Sequence, residues 1–288
     1  MMRGVARAMA QLLPPSAKAG LARWRFGHDD SGPRFRVTRH DVDGHAAVTI
    51  DGRFTLLVTA DAAEAMTYYF EQDGDSRKEM ASFIHVSSEV PADAVLLDVG
   101  AHFGLFALVH LALGRRHRAV LLEPSTPLSA ASVSLLQLNG FGDRGEARRE
   151  GVGDTVETRS IGIDALGFAS APHDAASGIP VAFTTIDHLC TDGALRPAIV
   201  KIDVEGFESE VLDGACETLR RVRPIVCLEL HLDVLEQRGR PLPTLLAGLE
   251  SAGYTFETTD GSRVTAAQLC RSLKAIARIV ARPTGAAA

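Results

Sequence analysis

The sequence predicts an α/β fold built on a doubly wound, mostly parallel β-sheet. From residue 94 onward, short apolar runs of strand length alternate with helical segments, and such alternation is typical of parallel sheets covered by helices on both faces. The segment IVKIDVEGFE (199–208) has a strict two-residue period from Val200 to Glu205 and runs directly into a helical pattern. The segment LLDVGAHFG (96–104) joins a strand, a glycine turn and the start of a helix.

The composition is that of an ordinary folded protein. The chain has 288 residues, of which 46% are hydrophobic and 23% charged, enough for one α/β domain and a smaller appendage. The formal net charge of −6 provides no basic field, so we expect no nucleic-acid partner. The longest apolar run, residues 105–113, is too short to cross a bilayer, so no transmembrane segment is expected. Four cysteines without C-x-x-C spacing indicate free thiols in a reducing, cytoplasmic location.

Two smaller regions are predicted before the main domain. Residues 1–33 form a basic N-terminal tail, which we interpret as poorly ordered; a weak contact of this tail with an anionic membrane surface is the alternative. Residues 34–90 are predicted to form a small β/α cap, because Asp43-Gly44 and Asp51-Gly52 mark two turns between alternating apolar segments. Residues 91–288 form the main domain.

The main domain is predicted to contain the following elements in order. A strand at 94–100 leads to a helix that ends at Gly114, and a strand at 119–124 leads to a helix from Pro127 to Asn139. Three short strand candidates, GEARREGVGD, VETRSIG and PVAFTTI, come with a loop at 163–180. Then follow the strand AIVKIDV, one helix through Val222, the strand PIVCLELHL, a helix at 241–252, and the final segments YTFETT and AIARIVA.

The first strand and turn indicate what ligand the sheet binds. Gly100 and Gly104 allow close approach of the backbone to a ligand, but a dinucleotide site prefers G-x-G-x-x-G, and a third glycine is missing. Asp98 would repel a pyrophosphate and suits a ligand with ammonium or sulfonium charge; S-adenosylmethionine carries both. Glu123 ends the second strand, where an acid can accept both hydroxyls of a ribose.

Several blocks of this chain resemble the FkbM family of S-adenosylmethionine-dependent methyltransferases. They are LLDVGAHFG, LLEP with LLQLNG, TTIDHL, IVKIDVEGFESEVLDGA and RPIVCLELH, in the family's order. The resemblance implies a seven-stranded, Rossmann-like class I methyltransferase sheet and methyl transfer to a hydroxyl of a sugar, a polysaccharide or a secondary metabolite. It places Asp98, Gly100 and Gly104 in the cofactor loop and Glu123 on the cofactor ribose. His102, in the same loop, stands where the family most often has Asn.

Charged residues on two neighbouring strands are the predicted catalytic set. Lys201, Asp203 and Glu205 share one face of a strand that ought to be buried, and Glu229 and His231 end the next strand. A carboxylate or histidine there can remove the proton of an acceptor hydroxyl. A divalent metal on Asp203 and Glu229 could instead lower the hydroxyl's pKa. The alternative is that the first three residues form a structural ion-pair network.

The sequence therefore predicts an S-adenosylmethionine-dependent O-methyltransferase with a small-molecule or glycan acceptor. The cap and the 163–180 loop are predicted to shape the acceptor pocket. Two rivals stay open. A nicotinamide-dependent oxidoreductase is disfavoured by the missing third glycine and by Asp98. A methyltransferase-like binding module without turnover is kept open by the departure at His102.

Overall fold

The computed structural model describes residues 40–42, 45–50, 52–67, 74–163, 169–170, 178–193, 195–271 and 275–285. All of these belong to one unit of the chain, Pro33–Ala288. The predicted basic tail lies outside the described residues, as do parts of the predicted cap and of the 163–180 loop. Within the described ranges, every helix is too short or too polar to cross a membrane.

The first described elements form a three-stranded antiparallel sheet and two helices. The strands are β1 (His40–Val42), β2 (His45–Ile50) and β3 (Phe54–Val58), in the order β1-β2-β3. The helices are α1 (Ala60–Thr67) and α2 (Gly74–Glu89). Asn139 ties this sheet to the rest of the fold, because its side chain accepts from the Leu57 amide at 2.9 Å and donates to the Leu57 carbonyl at 2.8 Å. The predicted domain boundary at residue 90 stays a prediction.

An eight-stranded sheet forms the centre of the fold. Its strands are β4 (Val95–Val99), β5 (Arg118–Leu122), β6 (Gly145–Arg148), β11 (Ile199–Ile202), β12 (Ile225–His231), β13 (Tyr254–Thr258), β14 (Arg263–Val264) and β15 (Ile276–Pro283). Their order is β14-β13-β15-β12-β11-β4-β5-β6. The five strands from β12 to β6 are parallel, and β15, β13 and β14 add antiparallel pairs. The prediction of a mostly parallel Rossmann-like sheet is confirmed; the short β14 raises the predicted seven strands to eight.

The strand order creates a crevice beside β4. The chain proceeds from β4 outward to β5 and β6 on one side, and then returns to place β11 and β12 on the other side. Open α/β sheets bind ligands at such a reversal, outside the carboxyl ends of the strands. The sheet separates two apolar clusters, with Leu96 in one and Leu97 in the other, as expected for parallel strands covered on both faces.

Helices α3 (Leu105–Leu113) and α4 (Thr126–Leu138) follow β4 and β5. A second, four-stranded sheet lies between β6 and β11 in the sequence, in the order β7-β10-β8-β9. Its strands are β7 (Gly151–Val152), β8 (Glu157–Ile163), β9 (Ala169–Ser170) and β10 (Ile179–Thr184). The loop predicted at 163–180 is therefore wrong in part, because its two ends and residues 169–170 belong to strands.

The remaining helices surround the second half of the central sheet. They are α5 (Ile186–Leu189), α6 (Glu208–Asp213), α7 (Cys216–Arg221), α8 (Leu232–Gln237), α9 (Leu242–Ser251) and α10 (Ala266–Leu269), with a 3₁₀ turn at Thr191–Gly193. The single helix predicted through Val222 is wrong, since it is broken between α6 and α7. Gly214, the C-cap of α6, lies at this break, and only a residue without a Cβ fits there, because a Cβ would lie 2.1 Å from the carbonyl oxygen of Gly153. Asp187 then caps α7 by accepting from the amides of Glu217 and Thr218 at 3.0 and 2.7 Å.

Candidate active site

A pocket opens at the carboxyl ends of β4, β5, β11 and β12, at the crevice beside β4. The turn after β4 forms one wall, and residues 203–207 after β11 form another. The second sheet supplies Val152, Ile161 and Phe183 as an apolar wall. Polar residues from α2, β12 and β15 line the remaining wall: Ser76, Glu79, Glu229 and Arg278.

The glycine turn after β4 is held in place by its neighbours. The amides of Gly100 and Ala101 both donate to the carbonyl of Leu122, at 2.9 and 3.1 Å. Gly100 has a φ of +76°, and a Cβ there would lie 1.8 Å from the carbonyl oxygen of Asp203. Only glycine fits this position, and the turn is therefore pressed directly against the end of β11.

His102 and Gly104 continue the turn into α3. His102 has a φ of +52°, and its carbonyl accepts from the Ser132 hydroxyl at 2.9 Å. Burial lowers the pKa of its imidazole, which Asp203 opposes. Gly104, at φ +86°, precedes the first residue of α3. Both residues have the left-handed backbone that the turn requires, and His102 lines the pocket.

Glu123 fixes the turn from the end of β5. One carboxylate oxygen accepts from the His102 amide at 2.9 Å, and the other accepts from the Ser125 amide at 2.8 Å. Burial raises the pKa of this carboxyl to about 7, although both amides favour the charged form. The residue lines the pocket, and each oxygen keeps a second lone pair. Its predicted contact with a ribose stays a prediction.

Asp98 lies within the fold beside the turn. It is fully buried on β4, in register with Lys201 of β11. Burial raises the pKa of its carboxyl to about 7, while Lys201 and the Ala107 amide lower it. Oδ2 has no hydrogen-bond partner among the described residues. Asp98 is therefore a buried acid with one unsatisfied oxygen next to the glycine turn, outside the set of residues that line the pocket.

Lys201 is at the centre of a buried ion-pair network. Its Nζ lies 3.0 Å from Oε1 of Glu79, 3.6 Å from Oδ2 of Asp203 and 4.7 Å from the centre of the Phe106 ring. Burial by itself would lower the lysine's pKa, but the Glu79 and Asp203 carboxylates raise it, so the amine stays charged. The predicted alternative was an ion-pair network of Lys201, Asp203 and Glu205; in the structure Lys201 pairs with Asp203 and Glu79, and Glu205 pairs with His231. The predicted part of Lys201 in catalysis stays a prediction.

Arg278 of β15 extends the network to β12. Its Nη2 lies 2.8 Å from Oε1 of Glu229, and its Nε lies 2.9 Å from Oε2 of Glu79. Burial, Asp203 and Glu79 raise the pKa of Glu229 to about 9. Glu229 thus faces Arg278 across β12 and β15, which is a different arrangement from the predicted pairing of Glu229 with Asp203 around a metal.

Asp203, Glu205 and His231 meet at the ends of β11 and β12. One potential ligand atom from each lies within 4.8 Å of the others. The predicted alternation through Glu205 is wrong, because β11 ends at Ile202 and Glu205 has a φ of +53°. This left-handed residue lets Oε2 of Glu205 come within 3.1 Å of Nε2 of His231. The predicted adjacency of the two strand ends is confirmed by the parallel pairing of β11 with β12.

Glu208 orients the imidazole of His231 from the other side. Its Oε1 lies 2.8 Å from Nδ1 of His231 and also accepts from the Gly206 amide at 2.9 Å. The Glu208 side chain is 0% exposed. Burial would lower the pKa of His231, but Glu208 and Glu205 raise it to about 9. The imidazole is therefore held between two carboxylates as a cation at neutral pH.

These ion pairs join eight side chains into one group, the acid–base cluster. It contains five carboxylates and three cationic groups: Glu79, Asp203, Glu205, Glu208, Glu229, Lys201, Arg278 and His231. Sequence reasoning missed Glu79, Glu208 and Arg278. Glu208 carried only the signal of an acid in the first turn of a helix, and Glu79 and Arg278 are 199 positions apart.

Comparisons with known proteins add the following. The family model of the methyltransferase FkbM domain matches residues 98–256. The fold is similar to the crystal structure of methyltransferase FkbM from Methylobacillus flagellatus KT, at 15% identity and a TM-score of 0.45, covering 77% of this chain and 60% of that one. It is also similar to a precorrin-6y C5,15-methyltransferase from Geobacter metallireducens GS-15, at 15% identity and a TM-score of 0.40, covering 71% and 87%. No curated protein sequence matches the chain.

Proposed function

Because this chain belongs to the FkbM methyltransferase family, we propose that it transfers the methyl group of S-adenosylmethionine to a hydroxyl of a small-molecule or glycan acceptor. The observation that carries the proposal is the direct contact between the glycine turn and the charged end of β11. Gly100 of the turn packs against the backbone of Asp203, and both residues line one pocket at the reversal of strand order.

The residues around the turn fit the cofactor. Residues 100–103 of the turn and Leu105 of α3 line the pocket, so a ligand can approach the start of this helix. Asp98 has one unsatisfied oxygen beside the turn but does not line the pocket, so its predicted contact with the positive end of the methionine moiety stays a prediction. Glu123 has lone pairs left for the ribose hydroxyls, and the apolar wall at Val152 and Phe183 suits the adenine.

S-adenosylmethionine, when bound, supplies an electrophilic methyl group. The protein's task is to hold an acceptor hydroxyl in line with that methyl and to take up the hydroxyl's proton. Asp203 follows β11 where its backbone contacts Gly100, and its side chain is 30% exposed and lines the pocket. Two routes to removal of the hydroxyl's proton are proposed: Asp203 takes up the proton itself, or a divalent ion lowers the hydroxyl's pKa.

The acceptor is proposed to occupy the polar wall formed by α2, β12 and β15. Ser76, Glu79, Glu229 and Arg278 line that wall and offer hydrogen-bond donors and acceptors to a polyhydroxylated molecule. A sugar or a hydroxylated secondary metabolite has this chemistry. The four cysteines are free, which is in keeping with the cytoplasmic location that we propose.

Cofactor binding is tested by titration calorimetry. The wild-type chain should bind S-adenosylmethionine in the micromolar range, about −8 kcal/mol, and should bind NAD much more weakly. Glu123→Ala should weaken binding by about 1–3 kcal/mol, because ribose hydroxyls lose a buried acceptor and the turn loses an anchor. Glu146→Ala, a change at an exposed acid of β6, is the control. Equal affinities in all three proteins would remove Glu123 from the site.

Turnover is tested with Asp203→Asn, which keeps the shape and removes the charge. S-adenosylhomocysteine formation should be followed with a panel of sugars and hydroxylated metabolites as acceptors. We expect turnover to fall by ~10²–10⁴ if the carboxylate takes up the proton, with cofactor affinity retained. A variant that turns over at the wild-type rate would place the chemistry elsewhere. A wild-type chain that binds the cofactor and forms no product with any acceptor would be a binding module.

A further inference from the structure

We propose that the ends of β11 and β12 bind a divalent transition-metal ion through Asp203, Glu205 and His231. The inference deepens the proposed function and rests on it for the ion's role, which is to hold the acceptor hydroxyl beside the cofactor loop. The binding site itself rests on the geometry, charge and support of these three side chains. Each of those is a separate observation.

The spacing of the side chains matches a metal's coordination sphere. Nε2 of His231 and Oε2 of Glu205 are 3.1 Å apart. Two adjacent ligands at about 2.1 Å from an octahedral ion are separated by about 3.0 Å. An oxygen of Asp203 completes the group within 4.8 Å. The ion can therefore enter in place of the proton that Nε2 and Oε2 share, with only small side-chain movements.

Carboxyl groups outnumber cationic groups around the three proposed ligands, and this favours binding of a further cation. The acid–base cluster holds five carboxyl groups against three cationic groups in a largely buried region. Buried charges are costly unless they are paired. One divalent ion would pair with the carboxylates that the three cationic groups leave over.

Glu208 provides the support that ligating histidines have in metal sites. Such a histidine usually donates its other ring N–H to a carboxylate, which fixes the ring and makes it a better ligand. Glu208 lies 2.8 Å from Nδ1 of His231, is 0% exposed and is itself held by the Gly206 amide. The arrangement directs Nε2 toward Glu205. A solvated surface group of acids has no such buried partner.

The ligand set indicates which ion binds and what it does. One imidazole with two carboxylates suits Mn²⁺ or Zn²⁺ better than Mg²⁺, which prefers oxygen ligands throughout. Asp203 and Glu205 line the pocket, so the coordination positions that three protein ligands leave open face the acceptor. An acceptor hydroxyl bound there would lose its proton more easily, because the ion stabilises the alkoxide.

The test is binding of MnCl₂ to the full chain without cofactor or acceptor. Electron paramagnetic resonance of free Mn²⁺ and titration calorimetry should both show one site per chain. Glu208→Gln should weaken Mn²⁺ binding by about 10- to 100-fold, and Glu205→Gln and His231→Gln should weaken it at least as much. His188→Gln, at an exposed histidine of α5, should leave it unchanged. Glu205 is 41% exposed, so its variant keeps the test valid if a buried variant does not fold.

The outcomes separate this inference from the proposed function. A wild-type chain that binds S-adenosylmethionine but no Mn²⁺ or Zn²⁺ at millimolar concentration overturns the metal site alone. Equal Mn²⁺ affinity in the wild-type and Glu205→Gln proteins also overturns it, because the ion then binds elsewhere. A chain that binds the ion at this site but not S-adenosylmethionine refutes the proposed function and leaves the metal site standing.

Discussion

Replacing Gly100 by alanine should separate the glycine turn after β4 from the end of β11. The new Cβ would lie 1.8 Å from the carbonyl oxygen of Asp203, and real Cβ atoms keep at least 3.0 Å from such an atom. Since both partners are backbone, no side-chain rotation relieves the contact. The turn or the strand end must move by more than about 1 Å, and a misplacement of about 1 Å can cost 10²-fold in rate.

The energetic cost has two parts that a control can distinguish. Alanine at a left-handed φ costs roughly 1–2 kcal/mol, and overpacking a tight site adds about 1–3 kcal/mol. Gly261→Ala carries the first cost alone, because Gly261 has a φ of +81° and open space around its Cβ position. Gly100→Ala should therefore lower the free energy of unfolding by about 1–3 kcal/mol more than Gly261→Ala.

The assays are urea denaturation and calorimetry with S-adenosylmethionine. We expect Gly261→Ala to bind the cofactor like the wild-type chain and Gly100→Ala to bind it at least 10-fold more weakly, because the turn no longer fits its ligand. If the two variants lose the same stability and both keep the cofactor, the close approach of Gly100 to Asp203 is not what couples the turn to β11.

Two further predictions concern stability. His110 is buried, and burial and His117 lower the pKa of its imidazole to about 3. The imidazole therefore stays neutral in the folded chain at pH 5, whereas in the unfolded chain it takes up a proton near pH 6.5. Between pH 7 and pH 5 the wild-type chain should lose about 2 kcal/mol of unfolding free energy relative to His110→Asn, measured by urea denaturation at both pH values; parallel pH profiles would contradict this. Asn139→Ala removes both hydrogen bonds to Leu57 and should cost about 1–3 kcal/mol in urea denaturation, whereas the exposed Gln137→Ala should cost little; equal losses would show that the bridge contributes nothing.

The central strands were predictable because buried parallel strands are short apolar runs with turn residues between them. β4, β5 and β12 lie within two or three residues of their predicted bounds, and the carboxyl ends that carry Glu123 and Glu229 are where the sequence indicates. Local periodicity is sufficient for such elements. It also placed Gly100 at a turn, since few other residues adopt that backbone.

The rest depended on contacts that periodicity cannot show. Glu205 continues the alternating pattern of β11, yet its left-handed backbone turns it toward His231. Gly214 ends α6 and packs closely against the carbonyl of Gly153, and this contact leaves no trace in the helical spacing around it. Glu208 could not be recognised as the partner of His231, because acids in the first turn of a helix are common.

The position of β15 has a consequence for how the protein is made. This strand is the last described in the chain, yet it lies inside the sheet between β12 and β13, and it brings Arg278 to Glu79 and Glu229. While the ribosome adds residues at roughly 5–20 per second, the nascent chain holds two strands with unpaired edges and two buried acids without their guanidinium. The polar wall of the pocket is thus complete only after residue 278 has been translated, and chains that end before it lack this part of the pocket.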